Sequence, residues 1–134
     1  MKKLLTVISI LISCGLQAQQ DQETVKLWTI YPGYVITNEN DTIHGYIKLN
    51  NLIDNQRKAL FYNSPDDENY AEKYKPKDIK AYKVGPRYYE SFKFWPETEA
   101  RGVHFFLKII DGPLSYYKWY YESTEDSKKR IVVD

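Results

Sequence analysis

Apolar and polar positions alternate most cleanly over residues 42–49, where Ile43, Gly45, Ile47 and Leu49 share one face and Thr42, His44, Tyr46 and Lys48 the other. A period of two is the mark of a half-buried strand, because successive side chains leave a pleated backbone on opposite sides. Residues 34–37 supply a partner strand. Asn38, Glu39, Asn40 and Asp41 lie between the two and favour turns, so the segment reads as a β-hairpin. Upstream, residues 26–31 form a first strand ended by Pro32 and Gly33. Downstream, 50–57 holds polar turn formers around Leu52 and Ile53, 58–62 a short strand and 63–73 an exposed loop. Residues 74–79 make a tight turn or a single helical turn with Pro76 near its start.

Strands follow at 80–84 and 88–94 around Gly85 and Pro86, and residues 95–102 connect them to the last third. There the β pattern is strongest, with runs at 103–110 and 114–121 flanking Asp111-Gly112-Pro113. An Asp-Gly step is a strong hairpin cue, and Pro113, lacking a backbone donor, belongs at the turn margin or on an edge. Residues 131–133 add a brief closing strand. The count is roughly seven short strands with no convincing amphipathic helix, so the expected fold is mainly β, an antiparallel meander closed into a small barrel or sandwich.

The first eighteen residues read as an address: Lys2 and Lys3 precede an apolar run over 4–13. That run is about ten residues, short of the roughly twenty a membrane-spanning helix needs. Two cuts compete. Ala18 suits the last position before a general signal-peptidase site, whereas Leu11-Ile12-Ser13-Cys14 fits a lipoprotein box in which Cys14 carries the lipid. The protein is thus expected to be exported, either periplasmic or secreted, or alternatively lipid-anchored at the outer membrane. Residues 19–25 make a flexible lead-in and 26–134 a single β-rich domain. Cys14 is the only cysteine, so neither cut leaves a disulfide or a thiolate metal site.

Removing the leader takes away Lys2 and Lys3 and no acid; nineteen basic residues become seventeen against eighteen acidic ones, and the formal charge moves from +1 to −1. A nucleic-acid binder needs a net basic face, so no nucleic-acid partner is expected. All thirteen Tyr, three Trp and five Phe fall after the leader, which suits strands better than helices.

Gly33-Tyr34-Val35-Ile36, then 41–47, 74–79, Tyr88-Tyr89-Glu90-Ser91-Phe92 and 111–117 occur in an order that resembles a group of small exported β-rich proteins of Bacteroidota without assigned activity. The resemblance spans most of the chain after the leader. It implies an exported β domain and supplies no catalytic residue.

Chemistry-bearing patterns are few. His44 and His104 stand alone inside strands, with no His-x-His and no zincin motif. Asp66-Asp67-Glu68 lacks the glycine and alternate spacing of a calcium loop. Ser64, Ser91 and Ser115 sit in no nucleophile elbow, and no glycine-rich phosphate cradle occurs. No metal or cofactor is expected.

The aromatic excess remains. A strand over 116–121 places Tyr116, Lys118 and Tyr120 on one face and Tyr117, Trp119 and Tyr121 on the other, so one set can fill the core while the second stays partly exposed. Tyr116, Tyr120 and Tyr46 are the candidates for a surface that receives an envelope protein or a glycan. The alternative is cross-strand pairing that only stabilises the sheet. Asp41-Thr42-Ile43 also resembles the O-glycan acceptor pattern of exported Bacteroidota proteins, with Thr42 as the acceptor.

The expected function is a non-enzymatic binding or scaffolding module of the envelope. Two alternatives stand beside it: a small hydrolase acting on envelope polysaccharide through Asp and Glu side chains, and a subunit whose sheet edge pairs with another protein.

Overall fold

The alternating segment becomes a central strand of one curled sheet. The computed structural model describes residues 25–67, 69–94 and 102–120. In chain order the elements are β1 (Thr29–Thr37), β2 (Thr42–Leu49), α1 (Leu52–Arg57), β3 (Ala59–Tyr62), β4 (Glu72–Tyr74), β5 (Ile79–Val84), β6 (Arg87–Phe94), β7 (Gly102–Ile110) and β8 (Tyr116–Lys118). Every neighbouring pair is antiparallel, in the order β4-β3-β2-β1-β5-β6-β7-β8. The protein is therefore mainly β, built from two meanders laid outward from the seam between β1 and β5.

The chain itself dictates the curl. In a flat sheet β4 and β5 would lie four strand spacings apart, about 19 Å. Only residues 75–78 join them, and these are drawn into a turn by the Asp78 N–H donating to the Lys75 carbonyl at 2.9 Å. Five residue steps reach about 17 Å even when fully extended. The β4 edge must therefore roll back toward β5, and Tyr74 packs against the core as it does so.

Two glycines permit the bend. Gly33 and Gly45 face each other across β1 and β2. A Cβ on Gly45 would meet the Phe61 ring at 2.4 Å, and one on Gly33 would meet the Lys83 carbonyl oxygen at 2.1 Å. The inner face thus collapses at this point, gathering Val35, Ile47, Leu49, Phe61, Ile79, Tyr82, Val84, Tyr89, Phe105 and Leu107 into one core.

Four sequence expectations change. β1 runs unbroken through Pro32 and Gly33. The Pro32 carbonyl accepts from the Gly85 N–H, so its missing donor also points toward β5, beyond the end of that ladder at Gly33 and Val84. Residues 50–57 hold a helix rather than only turns, and the loop expected over 63–73 ends in β4. The last strand is shorter, Tyr116–Lys118. The expected leader, the connection over 95–101 and the closing strand over 131–133 lie outside the described residues.

The Gly85-Pro86 pair closes β5 and β6 as a two-residue hairpin, with Gly85 at φ +52 between paired Val84 and Arg87. Glycine takes that left-handed position without the Cβ conflict other residues meet.

Candidate binding face

The inner face is filled. α1 starts where the Asn51 side chain accepts from the Asp54 N–H at 2.8 Å, and its own amide donates back to the Asp54 carboxylate at 2.8 Å. That cap aims Asn55 and Gln56, 1% and 2% exposed, at the core. Asn55 donates to the Asn50 carbonyl at 3.0 Å and to the Tyr89 hydroxyl at 3.3 Å, while the Tyr82 hydroxyl donates to the Asn55 carbonyl at 2.5 Å. Gln56 clamps the backbone of Tyr120 from both sides, donating to its carbonyl at 2.7 Å and accepting from its N–H at 2.6 Å. Tyr82 and Tyr89 stack at 4.8 Å, and burial pushes both hydroxyls above the ordinary tyrosine range.

The outer face carries the unusual chemistry. Register pairs align His44 with Tyr34, Tyr34 with Lys83, Lys83 with Tyr88, Tyr88 with Lys108 and Lys108 with Tyr117. These pairs form one transverse row across β2, β1, β5, β6, β7 and β8, in which tyrosines alternate with basic groups. Five strand spacings give the row a length of about 24 Å along the sheet, with a tyrosine every second strand, roughly 10 Å apart. No run in the sequence displays this alternation, because each member comes from a different strand.

Contacts tie the β6–β8 end of the row together. The Lys108 ammonium lies 5.5 Å from the Tyr88 ring centre and 5.7 Å from that of Tyr117, and it pairs with Asp111 at 2.8 Å and Glu90 at 3.6 Å. The hydrogen bond to Asp111 holds the Lys108 ammonium above its usual range and the Asp111 carboxyl below its own. Tyr117 donates to Glu90 at 2.7 Å; burial first, and then this carboxylate, push its hydroxyl up. Lys83, by contrast, is exposed and makes no ion pair among the described residues. Beside the row, Phe92 meets Tyr117 at 4.9 Å and Phe106 at 5.8 Å, and Trp119 meets His104 at 5.7 Å.

At the His44 end the sheet opens into a shallow depression of about 540 Å³ lined by Tyr34, His44, Tyr46, Asn63 and Lys83, with Gly33 and Gly45 at its base. Tyr34 and His44 meet edge to face at 5.6 Å on its wall.

The sequence-derived candidates are distributed unevenly over this arrangement. Tyr46 is half-buried and lines the depression. Tyr116 is half-buried and paired with Ile110 at the β7–β8 turn. Tyr120 packs against the core, held there by Gln56, so the outward aromatics of the last segment are Tyr117 and Trp119. Thr42 is exposed at the start of β2, beside exposed Asp41 and Ile43. Cys14 lies outside the described residues. Sequence reasoning missed Tyr34, Lys83, Tyr88, Lys108 and Glu90. Strand parity could have placed each on a face, but the row needs the strand order, above all the pairing of β1 with β5.

The hairpin tip does more than turn. Asn40 takes φ +72 and accepts from the Lys80 ammonium at 2.5 Å, while the Asn38 amide donates to the carbonyls of Lys77 at 3.0 Å and Asp78 at 3.2 Å. The tip thus ties the start of β2 to the turn that leads into β5. Among the described residues no helix is long and apolar enough to cross a membrane, which leaves β-strand crossing unaddressed. No family model matches the chain, and neither a curated protein nor a solved structure matches it.

Proposed function

We propose that this protein is an exported envelope module that works by binding or scaffolding, without catalysis, and that the outer sheet face is where its partner sits. The observation that carries this reading is the outer row of alternating tyrosines and basic groups, set beside the Phe92, Phe106 and Trp119 cluster. Rigid aromatic rings lose little conformational freedom on binding, and sheet strands hold them in fixed register. The inner face is taken up by α1 and the core, which leaves the outer face, with its depression, to receive a partner.

A glycan partner suits this surface better than a protein. The rings of the row are spaced at regular intervals along a line with polar groups between them, a layout that suits an extended chain of sugars, whereas protein interfaces favour a compact apolar core with a polar rim. The test is retention of the purified exported protein on insoluble envelope polysaccharide. Tyr34→Ala with Tyr117→Ala should abolish retention while leaving the circular dichroism spectrum intact. Progressive shortening of the polysaccharide by the wild-type protein would instead indicate a hydrolase.

A further inference from the structure

We infer that the end of the sheet formed by the entry to β1 and the β7–β8 hairpin docks on a phospholipid bilayer, inserting Trp28, Ile110 and Leu114 at the headgroup level. This goes beyond the binding face and uses residues outside it. Strand direction places these side chains together. β1 starts where β2 ends, at Thr29 and Leu49, and the β5–β6 and β7–β8 turns lie at that same end. Leu27 and Trp28 precede β1, and the β7–β8 hairpin lies three strands away, about 14 Å along the rim.

Exposure singles out this end. Leu27, Trp28, Ile109, Ile110 and Leu114 are five of the eight large apolar side chains exposed among the described residues, and Leu114 is 87% exposed. Trp28 stands out against its backbone: φ +63 is a left-handed conformation that favours glycine, and its N–H is fixed on the Leu49 carbonyl at 2.5 Å. Strain of this kind concentrates where a side chain has a task besides packing.

Two observations favour lipid over protein. The apolar groups project from separate tips with the Gly85-Pro86 turn between them, whereas a protein interface gathers a compact apolar core. A bilayer accepts isolated protruding groups, and Trp is favoured at the headgroup level. The chain also arrives at this end. Cys14, the residue expected to carry a lipid under one of the two cuts, is eleven steps before Val25, a reach of at most about 40 Å. The hairpin's one acid, Asp111, is paired with Lys108 at 2.8 Å, so it does not oppose an anionic headgroup. Docked this way, the strands stand off the surface. Tyr34 lies six residues beyond Trp28, up to about 20 Å from the bilayer, which leaves the outer row free to meet a partner.

The experiment is co-sedimentation of the purified exported protein, starting at Gln19 and carrying no lipid, with vesicles of phosphatidylethanolamine and phosphatidylglycerol. The expected result is binding with a blue shift of tryptophan emission that Trp28→Phe removes. Partitioning should fall about ten-fold in Ile110→Ser with Leu114→Ser, with the circular dichroism spectrum unchanged. Tyr70→Ser, 79% exposed in the 63–73 loop, controls for lost apolar surface and should bind as wild type. Leu114→Ser alone, at a turn position with little packing to lose, keeps the test open if the double variant fails to fold. Failure of the wild-type protein to bind vesicles, or equal binding by the hairpin variants, overturns the inference. So does a wild-type dimer in place of vesicle binding, seen by sedimentation velocity and lost in Leu114→Ser, which would assign this end to a second copy.

Discussion

Gly33 and Gly45 are conspicuous at the residue scale, because each stands where one added carbon would collide. At Gly45 the obstacles are the Phe61 ring at 2.4 Å and the Tyr62 carbonyl at 2.8 Å, whereas at Gly33 it is the Lys83 carbonyl, closer still at 2.1 Å and fixed by the β1–β5 ladder. Gly45→Ala should therefore cost about 1–3 kcal/mol and Gly33→Ala more, measured by urea unfolding. An alanine at 33 as stable as wild type would contradict the close approach.

Tyr82 and Tyr89 give the residue scale a pH signature. Burial raises both above the ordinary value of 10.0, so the folded protein keeps these protons after the unfolded chain has released them. Stability should be full below pH 10 and fall as pH rises above it, with tyrosinate absorbance from these two rings appearing only as the protein unfolds. Sequence showed the tyrosines as abundant but not their fates: residues 88 and 89 are adjacent, yet one turns to the outer row and the other to the core. Parity along β6 separates them, and the burial of Tyr89 additionally depends on α1.

α1 is the instructive case among the elements. Six residues are too few for a helical period to register, and Asn55 and Gln56 look like solvent-facing turn residues. The one local signal that could have found it, the Asn51-x-x-Asp54 capping pattern, was not read from the sequence. Its anchor is Gln56, the link between the helix and the end of the described chain at Tyr120. Gln56→Ala removes two hydrogen bonds and leaves part-buried peptide groups of Tyr120 without these partners, a loss of roughly 1–3 kcal/mol by thermal or urea unfolding. No change on that substitution would mean that the clamp is dispensable.

β4 escaped the sequence for a different reason. It has three residues, two of them charged and exposed, which gives it the look of a loop. Its strand character comes from pairing with β3 and from the short reach to β5, neither of which is local information. The long strands were legible because they alternate over enough residues, and the hairpin at Asp111-Gly112 because turn chemistry is local.

For the whole molecule, a mainly β meander followed from counting strands, whereas the strand order did not. Antiparallel neighbours can be stacked in sequence; the return of β5 to the far side of β1 is fixed by packing across the seam. The candidate face inherits that limit. Its aromatic wealth was visible in the composition, but Tyr120 turned inward and Lys83 joined the row only through the order of the sheet.

The export reading has its own test at this scale. Intact mass and N-terminal peptide mapping of the native protein should give either a start at Gln19 or a lipid-bearing Cys14, and a glycan on the exposed tip would appear as added mass on Thr42. An N-terminus still carrying Met1 would contradict export.

The outer face is the proposed seat of the partner. Backbone amide resonances followed by NMR during titration with solubilised envelope polysaccharide read that placement residue by residue. The prediction is a line of perturbed residues, His44, Tyr34, Lys83, Tyr88, Lys108 and Tyr117, with the α1 and β4 resonances unmoved. Perturbation confined to β4 and the 63–73 loop, or clustered around α1 and the core, would contradict it.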